Sequence, residues 1–328
     1  MNMLRRIAAL LFLGSLVTAA GVAAQPAPGM HRIAYVNVGP AASNPDNVAA
    51  FRESLRELGY VEGRDLIIDY RWGDGKVERL PGMIQELLAL KPDLVFSTGG
   101  PPTILAVKAA TTSVPVVFIT GDPLAEGVVS SLSRPDANLT GFALLAQNLG
   151  GKRLEILREL LPGAKRVVLV WNPGLPTSVT AKQEVQAAAA KLEMSVQWIE
   201  ARSPGELQVA LASAPARNSD AMMVLADPVL GFERARILAF AARHRLPAIY
   251  FWREFVVEGG LISYGSSLTA THRQAARYAD KIFHGVKPRD LPIEQASTFE
   301  LVINLNTAKT LGIAVPQSLL LRADEIIR

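Results

Sequence analysis

Acid–base and metal chemistry would start from the four histidines, His31, His244, His272 and His284. Their spacing matches no metal-ligand pattern such as H-E-x-x-H, and His244 and His284 fall near predicted helix ends, where a dipole interaction accounts for them. The chain has no cysteine, which removes thiolate nucleophiles, disulfides and Cys-ligated zinc. It contains no G-x-S-x-G elbow, Walker sequence or G-x-G-x-x-G. Gly99-Gly100-Pro101 resembles a phosphate loop only loosely, because proline lacks an N–H donor. The sequence offers no catalytic residue, no metal ligand and no cofactor site.

Residues suited to binding are present instead, and they follow apolar runs. Ser97-Thr98-Gly99-Gly100 precedes a helix start, where backbone N–H groups and the helix dipole suit a carboxylate. Thr120 and Asp122 follow a second apolar run, and Asn172 and Asp227 follow two more further on. Asp122 and Asp227 have two roles open to them: pairing with an ammonium group from opposite sides, or capping the turn that an Asp-Pro pair makes. Aromatics make up only 6% of the chain, yet Trp171, Tyr250, Trp252 and Tyr264 lie in or at the ends of predicted strands. Tyr250 and Tyr264 are taken as candidate stacking surfaces, with core filling as the other use of such rings. Core filling is preferred for Tyr35 and Trp198.

The elements that must position these groups alternate between short apolar runs and amphipathic stretches. Ile33 to Val38 reads as a buried strand, and Asp46 to Leu58 as a helix with Phe51, Leu55 and Leu58 on one face. Strands follow at Leu66 to Tyr70, Asp93 to Phe96 and Val116 to Ile119, with helices between them. The same syntax restarts at Arg166 to Trp171 and runs to Pro247–Tyr250. Continuous apolar strands interleaved with helices imply parallel sheets covered on both faces. The repeated start favours two doubly wound lobes over one long sheet. In such sheets ligands sit beyond the carboxyl ends of the strands, which is where the polar residues fall.

The tail adds a strand at Gly260 to Gly265, a helix at Thr269 to His284, and a strand at Phe299 to Asn304. A last short helix is expected to start near Asn306 and stop at Gly312. The expected division gives a first lobe of residues 30–141 plus about 266–296, and a second of 147–262 plus about 300–328. Hinge crossings are expected near 141–146, 262–266 and 296–300.

The chain has 328 residues, 49% of them hydrophobic and 20% charged, which suits two globular domains. Arg5 and Arg6 precede an apolar stretch from Ile7 to Ala20, and Val22-Ala23-Ala24 offers small residues for cleavage before Gln25. Residues 1–24 therefore read as a signal peptide, with an uncleaved anchor as the other reading. Either places the bulk of the chain outside the cytoplasmic membrane. A cleaved product has no N-terminal Cys for lipid attachment, so a soluble periplasmic protein is expected. The formal net charge of +4 drops to about +2 without the leader, too little to argue for nucleic acid.

Several stretches together resemble a known family. They include Gly121-Asp122-Pro123, Asn138 to Phe142, Lys152 to Glu155, Trp171-Asn172-Pro173, Gly259 to Gly265, Ala275 to Ala279, and Ile303 to Lys309 with Gly312. On these the chain resembles the substrate-binding proteins of ABC importers with the type I periplasmic-binding fold, of the kind described as tryptophan/tyrosine transport-like. The resemblance implies a two-lobed trap with no enzymatic activity. It captures a small molecule, such as an amino acid or another aromatic or carboxylate-bearing compound, and docks as a monomer on an ABC permease of the inner membrane. A periplasmic sensor feeding a membrane signalling protein would share every residue discussed. An enzyme on the same scaffold is the third reading.

Overall fold

The structure, a computed structural model, describes residues 29–43, 45–136, 138–145, 149–214 and 218–328. The expected signal segment lies outside the described residues, as do Asn44 and Ala146. Apolar runs form five strands: β1 (His31–Asn37), β2 (Leu66–Trp72), β3 (Leu94–Thr98), β4 (Val116–Thr120) and β5 (Leu139–Ala143). Helices α1 (Pro45–Glu57), α2 (Leu80–Ala89) and α3 (Pro101–Ala110) connect the first four strands. The pattern then restarts with α4 (Gly150–Leu160), β6 (Arg166–Trp171), α5 (Pro176–Lys191), β7 (Ser195–Glu200), α6 (Pro204–Ala212) and β8 (Ala221–Val224). It continues through α7 (Pro228–Phe232), α8 (Arg234–His244), β9 (Ala248–Tyr250), α9 (Arg253–Val257) and β10 (Ile262–Ser266). The tail holds α10 (Leu268–Phe283), β11 (Glu294–Gln295), β12 (Phe299–Asn304), α11 (Leu305–Leu311), α12 (Gln317–Arg322) and β13 (Glu325–Ile327).

One sheet runs β2-β1-β3-β4-β5-β11 and the other β7-β6-β8-β9-β10-β12-β13. Every pairing is parallel except β10 with β12. The expected α/β architecture of two parallel-sheet lobes is borne out. Strand alternation explains the packing. In β1, Ile33 and Tyr35 join the core under α1 and α10, while Ala34 and Val36 join the core under α2 and α3. In β6, Val167, Leu169 and Trp171 face α4 and α5, and Val168 and Val170 face α6 and α8. Both faces of each strand are covered, so the strands read as unbroken apolar runs rather than alternating ones.

The chain passes between the lobes after β5, after β10 and after β11. These passages are hydrogen-bonded to one another. Ser266 Oγ donates to the Leu144 carbonyl (2.8 Å), Ser267 N to Thr298 O (3.0 Å), and Ala296 N to Ala143 O (2.8 Å). Arg153 of α4 is fully buried, and its Nε donates to the Tyr264 carbonyl of β10 (2.7 Å). That bond fixes the second lobe to the strand through which the chain leaves it.

The tail differs from expectation in detail. The helix expected near Asn306 begins one residue earlier, because Asn304 caps α11 by accepting from Thr307 N (3.0 Å), and α12 was not expected. Strands β11 and β13 were not expected; each is too short to carry a periodic signal.

Two glycines set how closely the strands approach. A Cβ on Gly141 of β5 would lie 2.1 Å from the Phe118 carbonyl oxygen, and one on Gly265 of β10 would lie 1.9 Å from that of Phe251. Gly141→Ala is therefore expected to destabilise the protein by about 1–3 kcal/mol through overpacking against β4. Urea unfolding measures this, and an unchanged midpoint would mean the strands separate at no cost.

Candidate functional site

In both sheets the strand order reverses direction beside the first strand, between β1 and β3 and between β6 and β8. A parallel sheet binds ligands in the crevice at such a switch point, beyond the carboxyl ends of the strands. The two crevices face each other. From the first lobe come Asn37, Thr98 to Gly100, and Thr120; from the second come Asn172, Asp227, Pro228 and Trp252. The gap holds an inner chamber of about 60 Å³, a side chamber of about 40 Å³ and a mouth of about 480 Å³, with Pro228 bordering all three.

The lobes touch across this gap. A Cβ on Gly39 would lie 2.5 Å from the Phe232 ring, and one on Gly100 would lie 2.6 Å from Pro228 Cγ. Asn47 Nδ2 of α1 donates to Glu254 Oε1 of α9 (3.1 Å), and Arg253 lies 3.5 Å from Asp46. Trp252 packs against the cores of both lobes. The arrangement is a closed one.

The inner chamber is mostly apolar, with Ile119, Leu144, Leu268 and Phe232 among its walls, and no charged side chain lines it among the described residues. Several of its polar groups are held by hydrogen bonds. Asn37 Nδ2 donates to Thr98 Oγ1 (2.7 Å), Gly39 N donates to Asn37 Oδ1 (2.6 Å), and Thr269 Oγ1 donates to Asn47 Oδ1 (3.1 Å). Tyr35 OH lies 3.2 Å from Thr98 Oγ1, and burial pushes its pKa up to about 12. Tyr35 is core, as preferred from the sequence.

The side chamber is acidic. Glu126 of the first lobe accepts from Thr120 Oγ1 and from Asp122 N (3.0 Å), and burial raises its pKa. Asp227 of the second lobe caps α7 by accepting from Leu230 N (2.9 Å), and its other oxygen accepts from Asn172 Nδ2 (2.9 Å). Asp227 is 3% exposed, and desolvation raises its pKa from 3.8 to about 6. Among the described residues no lysine or arginine lines this chamber.

The residues chosen from sequence divide into two groups. Thr98, Gly99, Gly100, Thr120, Asn172 and Asp227 are brought together at the gap. Ser97 is fully buried one residue earlier, and strand alternation puts it on the face that carries Val95 rather than with Thr98. The Asp122 carboxylate accepts from Leu124 N and Ala125 N, both at 3.1 Å, so it holds the turn. Tyr250 stacks on Phe255 at 4.6 Å and borders a separate cavity of about 250 Å³ with Gly260 and Leu261. Tyr264 stacks on Phe299 at 6.4 Å. The rings at the gap are instead Phe232 and Trp252. Sequence reasoning did not single out Glu126, Asn47, Phe232 or His272. They sit on helices or a turn beyond the first residues after each strand, and His272 reaches the gap from α10 in the tail.

A family model described as ABC transporter substrate binding protein matches residues 39–327. The chain belongs to the ABC transporter substrate-binding proteins. The family resemblance read from the sequence is thereby borne out. The tyrosine-binding protein of Clostridioides difficile (strain R20291) is 23% identical over 262 residues, covering 80% of this chain and 75% of that protein. A conserved domain protein from Vibrio cholerae superposes with a TM-score of 0.81 at 25% identity, covering 90% of this chain and 99% of that one. An ABC domain in complex with L-Trp from Streptococcus pneumonia gives 0.80 at 24% identity, covering 91% and 100%. Among the described residues no helix is long and apolar enough to cross a membrane, and no group of acidic or histidine side chains could hold a metal ion.

The raised pKa of Asp227 has a measurable consequence. The folded protein keeps this proton to higher pH than the unfolded chain does, so stability falls as pH rises from about 4 to about 6. Asp227→Asn is expected to flatten part of that slope in a plot of Tm against pH. Superimposable profiles for the two proteins would show that Asp227 is charged in the fold throughout.

Proposed function

We propose that this substrate-binding protein is a periplasmic, monomeric receptor that captures an amino acid between its lobes and delivers it to an ABC permease. The observation that carries the reading is the pair of carboxylates, Glu126 and Asp227, bordering one chamber from opposite lobes with no lysine or arginine lining it among the described residues. Buried carboxylates lacking a positive partner favour a ligand that brings one. An amino group supplies that charge, and its arrival draws both lobes onto the same atom. The Thr98-Gly99-Gly100 turn is the matching place for the carboxylate. Its glycines have φ of +92° and +91°, a conformation that exposes backbone to an anion as bulkier residues do not. Helix α3 itself adds little, because Pro101 and Pro102 occupy its first turn and bring no N–H.

The relative named for tyrosine and the neighbour bound to L-Trp support an aromatic side chain, and the apolar walls of the inner chamber suit one. Capture by closure requires that solute bind the closed form better than the open one. The three hydrogen-bonded passages restrict the lobes to motion about a hinge, as closure of this kind needs.

The test is a thermal-shift screen of the chain from Gln25, unfolded and refolded first to strip bound solute. A ligand at about 100 times its dissociation constant adds roughly 2.7 kcal/mol of stability. L-tyrosine and L-tryptophan are expected to raise Tm, and Glu126→Gln to weaken their binding about tenfold or more by removing a charge-assisted contact. Silence across all amino acids would sink the reading. Equal affinity in Glu126→Gln would remove Glu126 from the site.

A further inference from the structure

The separate cavity beside Tyr250 lies in the second lobe, away from the gap. It holds about 250 Å³ and sits where β9 and β10 begin, between α8 and α11. Helix α11 is there because β12 runs antiparallel to β10, so the end of β12 meets the start of β10. Leu238, Leu246, Leu261 and Leu311 supply apolar walls, and no acidic side chain lines the cavity among the described residues. An apolar cavity of about 150 Å³ takes one benzene ring, so this one has room for a ring with a small substituent.

Tyr250 brings an unspent donor to this cavity. The residue is 1% exposed, and its hydroxyl makes no hydrogen bond among the described residues. Unlike the oxygens of Ser97 and Tyr70, it is not closed off from water. The ring is fixed on two sides. One face stacks on Phe255 at 4.6 Å, and Cε2, next to the carbon that bears the hydroxyl, lies 2.7 Å from where a Cβ on Gly260 would fall. Gly260 lines the cavity with bare backbone, so the end of Tyr250 beside that wall is the phenol end. Burial raises the pKa of Tyr250, which keeps the donor hydrogen in place. A buried hydroxyl without a partner is uncommon and calls for one.

The charge at the cavity is positive. Arg245 is exposed and ends α8, and its Nη2 donates to the Thr310 carbonyl of α11 (3.0 Å), which ties the guanidinium across from one helix to the other. No carboxylate pairs with Arg245 among the described residues. The two threonines of the wall, Thr307 and Thr310, donate to the Gly259 and Asn306 carbonyls, both at 2.9 Å, and keep only lone pairs. The side-chain donors left for an occupant are those of Tyr250 and Arg245, which suit an acceptor that carries negative charge.

We propose that this cavity is a second small-molecule site, which takes an aromatic monocarboxylate with its ring among the leucines, its charge balanced by Arg245 and a hydrogen bond donated by Tyr250. The claim concerns the second lobe alone and stands whatever the gap binds.

The experiment titrates benzoate and phenylacetate, with benzyl alcohol as the uncharged control, into the stripped chain from Gln25 by calorimetry. Both acids are expected to bind, and benzyl alcohol about threefold or more weakly than either. Ala242→Trp fills the cavity from an exposed position on α8 and is expected to abolish binding of both acids. Arg245→Gln is expected to weaken it about two- to fivefold, and Tyr250→Phe about two- to tenfold. Ala242 and Arg245 are exposed, so their variants keep the test open if Tyr250→Phe does not fold. No binding of either acid at millimolar concentration overturns the proposal and leaves water as the partner of the Tyr250 hydroxyl. Binding that survives Ala242→Trp overturns it by placing the acids elsewhere. Affinity unchanged in both Arg245→Gln and Tyr250→Phe overturns it too, as does benzyl alcohol binding as tightly as benzoate. Acids that bind and are lost in Ala242→Trp support this site even where no amino acid binds, a result that refutes the reading of the gap alone.

Discussion

At two places the lobes approach each other where one partner has no side chain to get in the way. Gly39 and Gly100 end the loops after β1 and β3, and both abut α7, one against Phe232 and the other against Pro228. A methyl group at either position would hold the crevices apart. Every other feature of the gap depends on that contact. Asn47 reaches Glu254 and Trp252 lies against both cores only when the loops meet. The carboxylates of Glu126 and Asp227 border one chamber for the same reason.

Beneath this contact lies a division of labour between backbone and side chain. The sheets supply rigidity, since both faces of every central strand are packed and leave no room for adjustment. The polar groups sit at the last residue of a strand or within three residues beyond it, where the chain leaves the ladder yet is anchored by it. Asp227 illustrates the compromise. One oxygen holds the start of α7 and the other accepts from Asn172, so two hydrogen bonds fix the carboxylate at the edge of the gap.

Much of this was legible in the amino-acid order. The restart of the strand–helix pattern at Arg166 predicted the second lobe, and the rule that parallel sheets bind at their carboxyl ends singled out Thr98, Thr120, Asn172 and Asp227, which the structure brings together at the gap. What stayed hidden depended on direction rather than position. Ser97 and Thr98 are adjacent, and only the phase of β3 decides which one turns from the gap. Asp122 and Glu126 are four residues apart, and the tight turn at Pro123 directs the second toward the chamber while the first caps the turn. Tyr250 and Trp252 follow the same strand. The ring still inside β9 is committed to the core, whereas the one beyond it is free to face the first lobe. His272 is the extreme case, because its place depends on a tail helix returning across two sheets to pack on α1.

The lobe-to-lobe bonds involve no solute atom. In a receptor that opens and shuts, Asn47 with Glu254 and Arg253 with Asp46 would favour the shut form whatever occupies the gap, and so would set a resting population of shut receptors. Each 1.4 kcal/mol of such attraction raises that population about tenfold relative to the open form. An importer that recognised only the shut shape would then meet empty receptors competing with loaded ones. With such an importer the strength of these few polar contacts would set a noise floor for uptake, and weakening them would trade apparent affinity for a cleaner signal.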